Sequence, residues 1–559
     1  MLTNPALILI LGAIPVPFLR GRTRAVWLLA LPVAAFVLLW SMPEGVTGGL
    51  DIFGLRLEPV RIDDLARVFA TAFCVAALLG VIYGLRVADT AQQVATVAYA
   101  GTAVGGALAG DLVTLFVFWE LTGLASVVLI WARRGERAYR AGMRYLAAQV
   151  VSGLLMLAGI VLRVAEGGGI RFDHIGVDSP GGVLILLGIA IKGAFPLLHG
   201  WIVDTYPEAT AVGSVVLSSF TTKLAVYALA RGFAGTESLV WIGAVMACFP
   251  IFYAVIENDL RRVLSYSMIN QLGFMVVGVG IGGALGINGA AAHAFADVFF
   301  KALLFMSMGA VLHRVGTVNG SDLGGLYKSM PQTTALCIVG AASISAFPLF
   351  SGFVTKSMIL QGVAEQHRPV IWLLLLFASA GVFHHAGIKI PFFAFFAHDA
   401  GHRVREAPGT MRLAMLLAAA VSIGIGVAPD LLLGILPLPM DYEPYTTSHV
   451  ITQVQLLAFA AMAFTVLMRT GLYPPELRSV NLDADVVYRK FLPALWGRGR
   501  QETTALRSRL AGRLHTVLMT ALAARPQRLQ QRFGAAASTG TMIWWVTLLL
   551  GIVLLLSYL

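Results

Sequence analysis

IKGAFPLLHGWIVDTYPEA, residues 191–209, reads as an apolar helix that carries a charge, breaks and resumes. Lys192 arrives on the apolar run, Gly193 and Pro196 interrupt it, and His199 and Trp201 follow the break. A lysine inside a membrane span costs roughly 2.5–3.5 kcal/mol on insertion scales, so it usually has a function or a partner. Proline removes a backbone donor and frees a carbonyl, which lipid tolerates only where protein or water covers the gap. A charge beside a broken helix is therefore a candidate ion site. The device occurs twice. Ala194-Phe195-Pro196-Leu197-x-x-Gly200-Trp201 is matched by Ala346-Phe347-Pro348-Leu349-x-x-Gly352-Phe353, with Lys356 just beyond the second proline.

The rest of the chain suits a membrane setting. Of 559 residues, 58% are hydrophobic and 12% charged, which excludes an ordinary soluble domain. The net charge of +11 falls in loops and a tail, so it indicates membrane-surface contact and not nucleic acid. Cys74, Cys248 and Cys337 stand alone in apolar runs, and no spacing suggests a metal, haem or iron–sulfur site. The first apolar segment lacks a basic leader and a clear cleavage site, so it reads as a retained span.

Hydropathy predicts an all-α polytopic membrane protein of about sixteen spans. They fall near 5–19, 25–42, 63–85, 91–109, 111–132, 142–163, 181–198, 209–231, 238–256, 262–282, 287–313, 331–363, 369–396, 410–437, 448–471 and 540–558. The short loops bearing Arg20, Arg133, Arg261, Arg314 and Arg403 place that face inside and both termini outside. The two Ala-Phe-Pro-Leu copies lie 152 residues apart (Pro196 and Pro348), a period holding five spans. An odd number inverts the second copy, which is a transporter architecture; short apolar matches arising by chance are the plainer alternative. The expected domains are 1–90 (spans 1–3), 91–235 (first repeat, spans 4–8), 236–397 (second repeat, spans 9–13) and 398–472 (spans 14–15). A cytoplasmic-side lateral segment, 473–539, and a terminal anchor, 540–559, follow. From Ala505, leucines at helical spacing with Arg507, Arg509 and Arg513 opposite predict an amphipathic helix on the membrane surface.

Several titratable residues fall inside predicted spans. Glu120 and Lys192 could form a coupled pair in which moving the lysine changes the proton affinity of the carboxylate. Lys223 and Lys301 add two cations, and His293, Asp297 and Lys301 share one helix face at i, i+4 and i+8. His384 and His385 precede Lys389 near the end of the thirteenth span. Each has a plainer reading: Lys389 could snorkel to the headgroups, Glu120 could be a structural ion pair, and His199 could satisfy backbone freed by the break. Several such groups in one chain are harder to dismiss together.

The motifs around these residues carry a resemblance. Phe118-Trp119-Glu120-Leu121-Thr122-Gly123, Ile191-Lys192-Gly193-Ala194-Phe195-Pro196, Phe299-Phe300-Lys301-Ala302-Leu303 and Ser351-Gly352-Phe353-Val354-Thr355-Lys356 resemble motifs of the large antiporter-like subunits. These subunits are shared by respiratory complex I and the Mrp-type cation/proton antiporters, and the resemblance runs over roughly residues 60–440. It implies fourteen core spans with broken seventh and twelfth helices, and a proton path using Glu120, Lys192, Lys223, Lys301 and Lys356. Asp297 stands where the family often has a second histidine. The lateral segment and last span are similar to those of the distal complex I subunit. The resemblance implies a bacterial inner-membrane subunit that moves protons against Na+ or K+ beside other membrane subunits, with no cofactor and no enzymatic site of its own. Within the family, Thr221-Thr222-Lys223-Leu224 favours the D-type member of an Mrp antiporter. The alternatives are a pumping subunit of complex I or of a membrane hydrogenase, or the energy-coupling subunit of an inorganic-carbon uptake complex.

Overall fold

In the computed structural model, residues 4–52, 54–87, 89–478, 481–491 and 494 are described. The amphipathic helix expected from Ala505 and the sixteenth span lie outside them. The chain divides into a unit of residues 1–485 and a second unit of 486–559.

The first unit is a helical bundle. Its helices are α1 (Pro5–Gly12), α2 (Gly21–Ser41), α3 (Asp64–Gly84), α4 (Thr90–Ala107), α5 (Leu112–Trp131), α6 (Glu136–Ala165) and α7 (Pro180–Lys192). Then come α8 (Gly200–Thr205), α9 (Ala211–Leu217), α10 (Thr221–Gly232), α11 (Glu237–Ile256), α12 (Leu260–Ile281) and α13 (Gly283–Val315). The last are α14 (Pro331–Ile344), α15 (Ser351–Glu365), α16 (Pro369–Val382), α17 (Lys389–Pro391), α18 (Gly409–Val427), α19 (Asp430–Leu433) and α20 (Thr447–Thr470). All fifteen expected spans before residue 472 coincide with helical segments, and eleven described helices are long and apolar enough to cross a membrane. Side-chain caps fix many of the starts: Asp63, Asp89, Asp111, Ser179 and Asp259 each accept from backbone N–H groups of the first turn.

Burial orders the bundle. The spans on α12 and on α9–α10 are wholly enclosed and α13 nearly so, whereas α2 and α20 are mostly open on their apolar sides. Open leucines, valines and phenylalanines on a membrane helix are the surface that lipid or a neighbouring subunit covers.

Two features make the repeat concrete. At the first break Ala194 N–H donates to Ile191 O and Phe195 N–H to Ala190 O, both 3.1 Å. At the second, Ala346 N–H donates to Ser343 O (3.1 Å) and Phe347 N–H to Ala342 O (3.0 Å). This is the Schellman arrangement that ends a helix, with alanine in the left-handed position usually filled by glycine. Ala194 and Ala346 both have φ of 58°, and Leu197 and Leu349 have φ of 69° and 72°. The second feature lies at the start of α5 and α12. Leu112 N–H meets Ile170 O and Phe172 N–H meets Gly110 O; Leu260 N–H meets Val318 O and Gly320 N–H meets Asn258 O. Each repeat thus pins the loop after its third helix to the start of its second.

Two elements had no sequence signal strong enough to predict. Between α2 and α3, β1 (Gly45–Thr47) pairs antiparallel with β4 (Val60–Ile62), and β2 (Leu50–Ile52) with β3 (Leu55–Leu57). After α16 the thirteenth span continues as π-helix over Phe383–Ile388 and again over Phe392–Phe396. Such wide turns are frequent at functional sites.

Candidate ion-translocation site

The sequence-predicted residues form a line through the middle of the bundle, though not with the neighbours first expected. Lys192, last residue of α7, is fully buried, and its ammonium donates to Trp119 O and, at 2.9 Å, to Thr122 Oγ1. It also lies 4.6 Å from the centre of the Trp119 ring, a cation–π distance. Glu120 is near enough for the two charges to act on each other but makes no ion pair with Lys192. Its carboxylate rests against Gly153 of α6, where an added Cβ would overlap it. A helix places residue 120 about 100° from residue 119, so the carbonyl and the carboxylate leave α5 in different directions.

Hydroxyls continue from Lys192 toward α10. Ser126 Oγ, which donates to the backbone carbonyl of Thr122, lies 2.7 Å from the Tyr145 hydroxyl, and the Tyr99 and Thr221 hydroxyls meet at 2.5 Å. Ser126, Tyr145 and Tyr99 were not singled out from the sequence. Their signal was available: a run of Ser, Thr and Tyr on helices that are otherwise apolar.

Beyond them, Lys223 on α10 forms an ion pair with Asp297 on α13 at 2.6 Å, and both are fully buried. One turn along α13, Lys301 donates to Ser267 Oγ at 3.0 Å. One turn before, His293 spans Thr355 (2.9 Å) and Gln271 (3.1 Å) with its two ring nitrogens. The shared face expected for His293, Asp297 and Lys301 therefore meets α15, α10 and α12 in turn. Lys356 on α15 reaches back to donate to Ile344 O at 2.9 Å, closing the second break, and sits 5.0 Å from the Phe274 ring. Next to it, Ser357 Oγ lies 2.5 Å from the Tyr442 hydroxyl, at a cleft of about 240 Å³ that also involves Glu443 and His449.

The charges facing His385 are His384, Lys301 and Lys389, while Asp297 faces Lys356. Lys389 does not snorkel: it is fully buried, donates to the carbonyls of Ala254, Val255 and Glu257, and pairs with Glu476 at 2.9 Å. Its charge thus answers the open carbonyls at the C-terminal end of α11. His199, after the first break, pairs with Asp483 at 3.1 Å. Pro196 and Pro348 sit inside the matched breaks. Among the described residues no cluster of His, Cys, Asp and Glu could hold a metal ion.

A multi-pass bundle with two mirrored helix breaks joined by buried lysines defines an antiporter-like membrane domain. The family described as NADH:quinone oxidoreductase/Mrp antiporter, transmembrane, matches residues 109–383, and over them the chain belongs to that family. A Na+/H+ antiporter subunit from Alkalihalophilus pseudofirmus is 28% identical over 484 residues. That match covers 75% of this chain and 60% of the relative, so the chain spans less than two thirds of its length. Among solved structures, a chain of the Mrp complex from Dietzia sp. aligns with a TM-score of 0.79 at 23% identity, covering 99% of this chain and 66% of that one. A chain of an archaeal membrane-bound sulfane sulfur reductase aligns at 0.72 and 21% identity, covering 99% of both. At these identities the structures speak for the fold.

Proposed function

We propose that this chain is the proton-translocating subunit of a multisubunit Mrp-type antiporter in a bacterial inner membrane, exchanging protons for Na+ or K+. Protons move along Lys192, the hydroxyls of Thr122, Ser126 and Tyr145, the Lys223–Asp297 pair, Lys301 and Lys356, with Glu120 biasing Lys192 from the side. The observation that carries this is the pair of matched breaks with a fully buried lysine at each, joined through Lys223, Asp297 and Lys301. Uncompensated lysines are too costly in lipid to persist without such a role. The apolar sides of α2 and α20 suit lipid and neighbouring membrane subunits.

The second reading is a subunit of a redox-driven proton pump. It is favoured by the end-to-end alignment with a chain of a respiratory membrane complex. One experiment separates the two. The chain is expressed with the subunits encoded beside it, everted vesicles are energised, and the collapse of the pH gradient on adding Na+ or K+ is followed. Cation-dependent collapse supports the antiporter. Proton pumping that follows an electron donor and ignores the cation supports the pump.

A further inference from the structure

After α20 the chain does not leave the bundle. Gly471 takes the left-handed conformation (φ 72°), and the chain turns back onto the bundle at Lys389, Asp322, Glu257 and His199. This strap, described over 471–478 and 481–485, is anchored at several points. Tyr473 packs among His384, Phe393 and Phe464; Arg478 donates twice to Asp322 at 2.8 Å; Asn481 reaches Glu257. The strap also inserts two carboxylates. Glu476 pairs with Lys389, and Asp483 binds His199 at 3.1 Å and accepts from the Tyr266 hydroxyl at 2.7 Å. Their side chains are only 6% and 8% exposed.

The two contacts fall in different halves of the line. His199 follows the first break, and Lys389 follows the π-helical stretch whose His385 faces Lys301. We propose that Glu476 and Asp483 are proton-exchanging groups at the inner ends of the two halves, so that one strap serves both. The proposal rests on the proton path above. At the Glu476 end, the Lys389 ammonium gives its proton to the Glu476 carboxylate, leaving a neutral amine and a neutral acid. The acid then releases the proton to water at the inner face, and the amine takes the next one from His385. At the other end Asp483 and His199 exchange a proton in the same way.

The surroundings suit the two carboxylates to different work. Burial raises the Glu476 carboxyl above the ordinary range; Lys389 opposes this and Glu257 adds to it. For Asp483, burial also acts upward, but the hydrogen bond and charge of His199, with Tyr266 and the Ala484 N–H, outweigh it and hold the group low. Glu476, the weaker acid, holds a proton more readily. Tyr253 and Asp485 also face the Asp483 end, and Arg262 reaches Glu257 at the other.

The test uses the assembled complex in everted vesicles, with cation-dependent proton exchange measured across pH. Glu476→Gln and Asp483→Asn are each expected to lower exchange by about tenfold or more, as for loss of a positioned proton-transfer group. Glu476→Asp keeps a carboxylate and should restore part of the rate with a shifted pH profile. Normal exchange in both neutral variants would overturn the proposal, as would equal loss in Glu476→Gln and Glu476→Asp with an unchanged profile, which marks a structural role. Lys301→Met reports on the underlying path. Its loss of exchange beside normal strap variants defeats the strap alone, and its full activity defeats the path on which the strap depends.

Discussion

Lys223 and Asp297 meet at 2.6 Å with neither side chain open to solvent, and they join α10 of the first repeat to α13 of the second. It is an ion pair between two charges that could not each be buried alone. Lys301, one turn further along α13, sits on the same face, so the pair abuts the central lysine. The link between the halves is thus a fixed electrostatic contact rather than a gap.

Breaking that contact leaves one uncompensated buried charge. Asp297→Asn or Lys223→Met should each lower stability by about 3–5 kcal/mol. The double variant Lys223→Met/Asp297→Leu should recover much of the loss while failing to exchange protons. Thermal unfolding of the purified complex in detergent checks this. Wild-type stability in both single variants would show that the pair carries no such weight.

Gly153 keeps room for Glu120. Gly153→Ala should displace the carboxylate and reduce exchange toward the level of Glu120→Ala. Combining both changes should add little to Glu120→Ala alone, because both act on one group. Additive losses in the cycle would place Gly153 outside the site.

The matched breaks carry left-handed backbone at four residues that are not glycine, each costing roughly 1–2 kcal/mol. Ala194→Gly and Ala346→Gly should therefore be tolerated, whereas Ala194→Val and Ala346→Val should destabilise, since a β-branched side chain fits φ near 58° poorly. Protein yield and unfolding temperature of the four variants provide the check. Asymmetry between the repeats would contradict their structural equivalence.

Asp483 gives a pH signature at the strap. Its folded-state pKa is held below the ordinary carboxylate value, so its contribution is fully present above that value and is lost as pH falls through the lowered one. The protection factor of the Ala484 amide, whose N–H donates to Asp483, should fall on acidification through that window. In Asp483→Asn the acid dependence should disappear.

The fold was legible because its signals are physical and local. Apolar runs of span length give the helices, Ala-Phe-Pro-Leu gives the breaks, and the 152-residue spacing of the prolines gives the repeat. The side-chain pairing was less legible. Nothing near Lys223 in sequence points to Asp297, because the two helices meet only through tertiary packing. The π-turn at Phe383–Ile388, which carries His384 and His385, leaves no periodicity signal in the sequence. Lys389 resembled a snorkelling lysine because its partner Glu476 lies 87 positions later. Tyr145 and Ser126 were passed over as ordinary polar residues of packed helices.

The central claim is that protons cross on the buried line through Lys301. The most direct measurement is cation-driven proton exchange by the assembled complex in everted vesicles, comparing wild type with Lys301→Met at matched protein content. The account expects exchange to fall to the level of vesicles lacking the complex while assembly is unchanged. Exchange at the wild-type rate in Lys301→Met would contradict it.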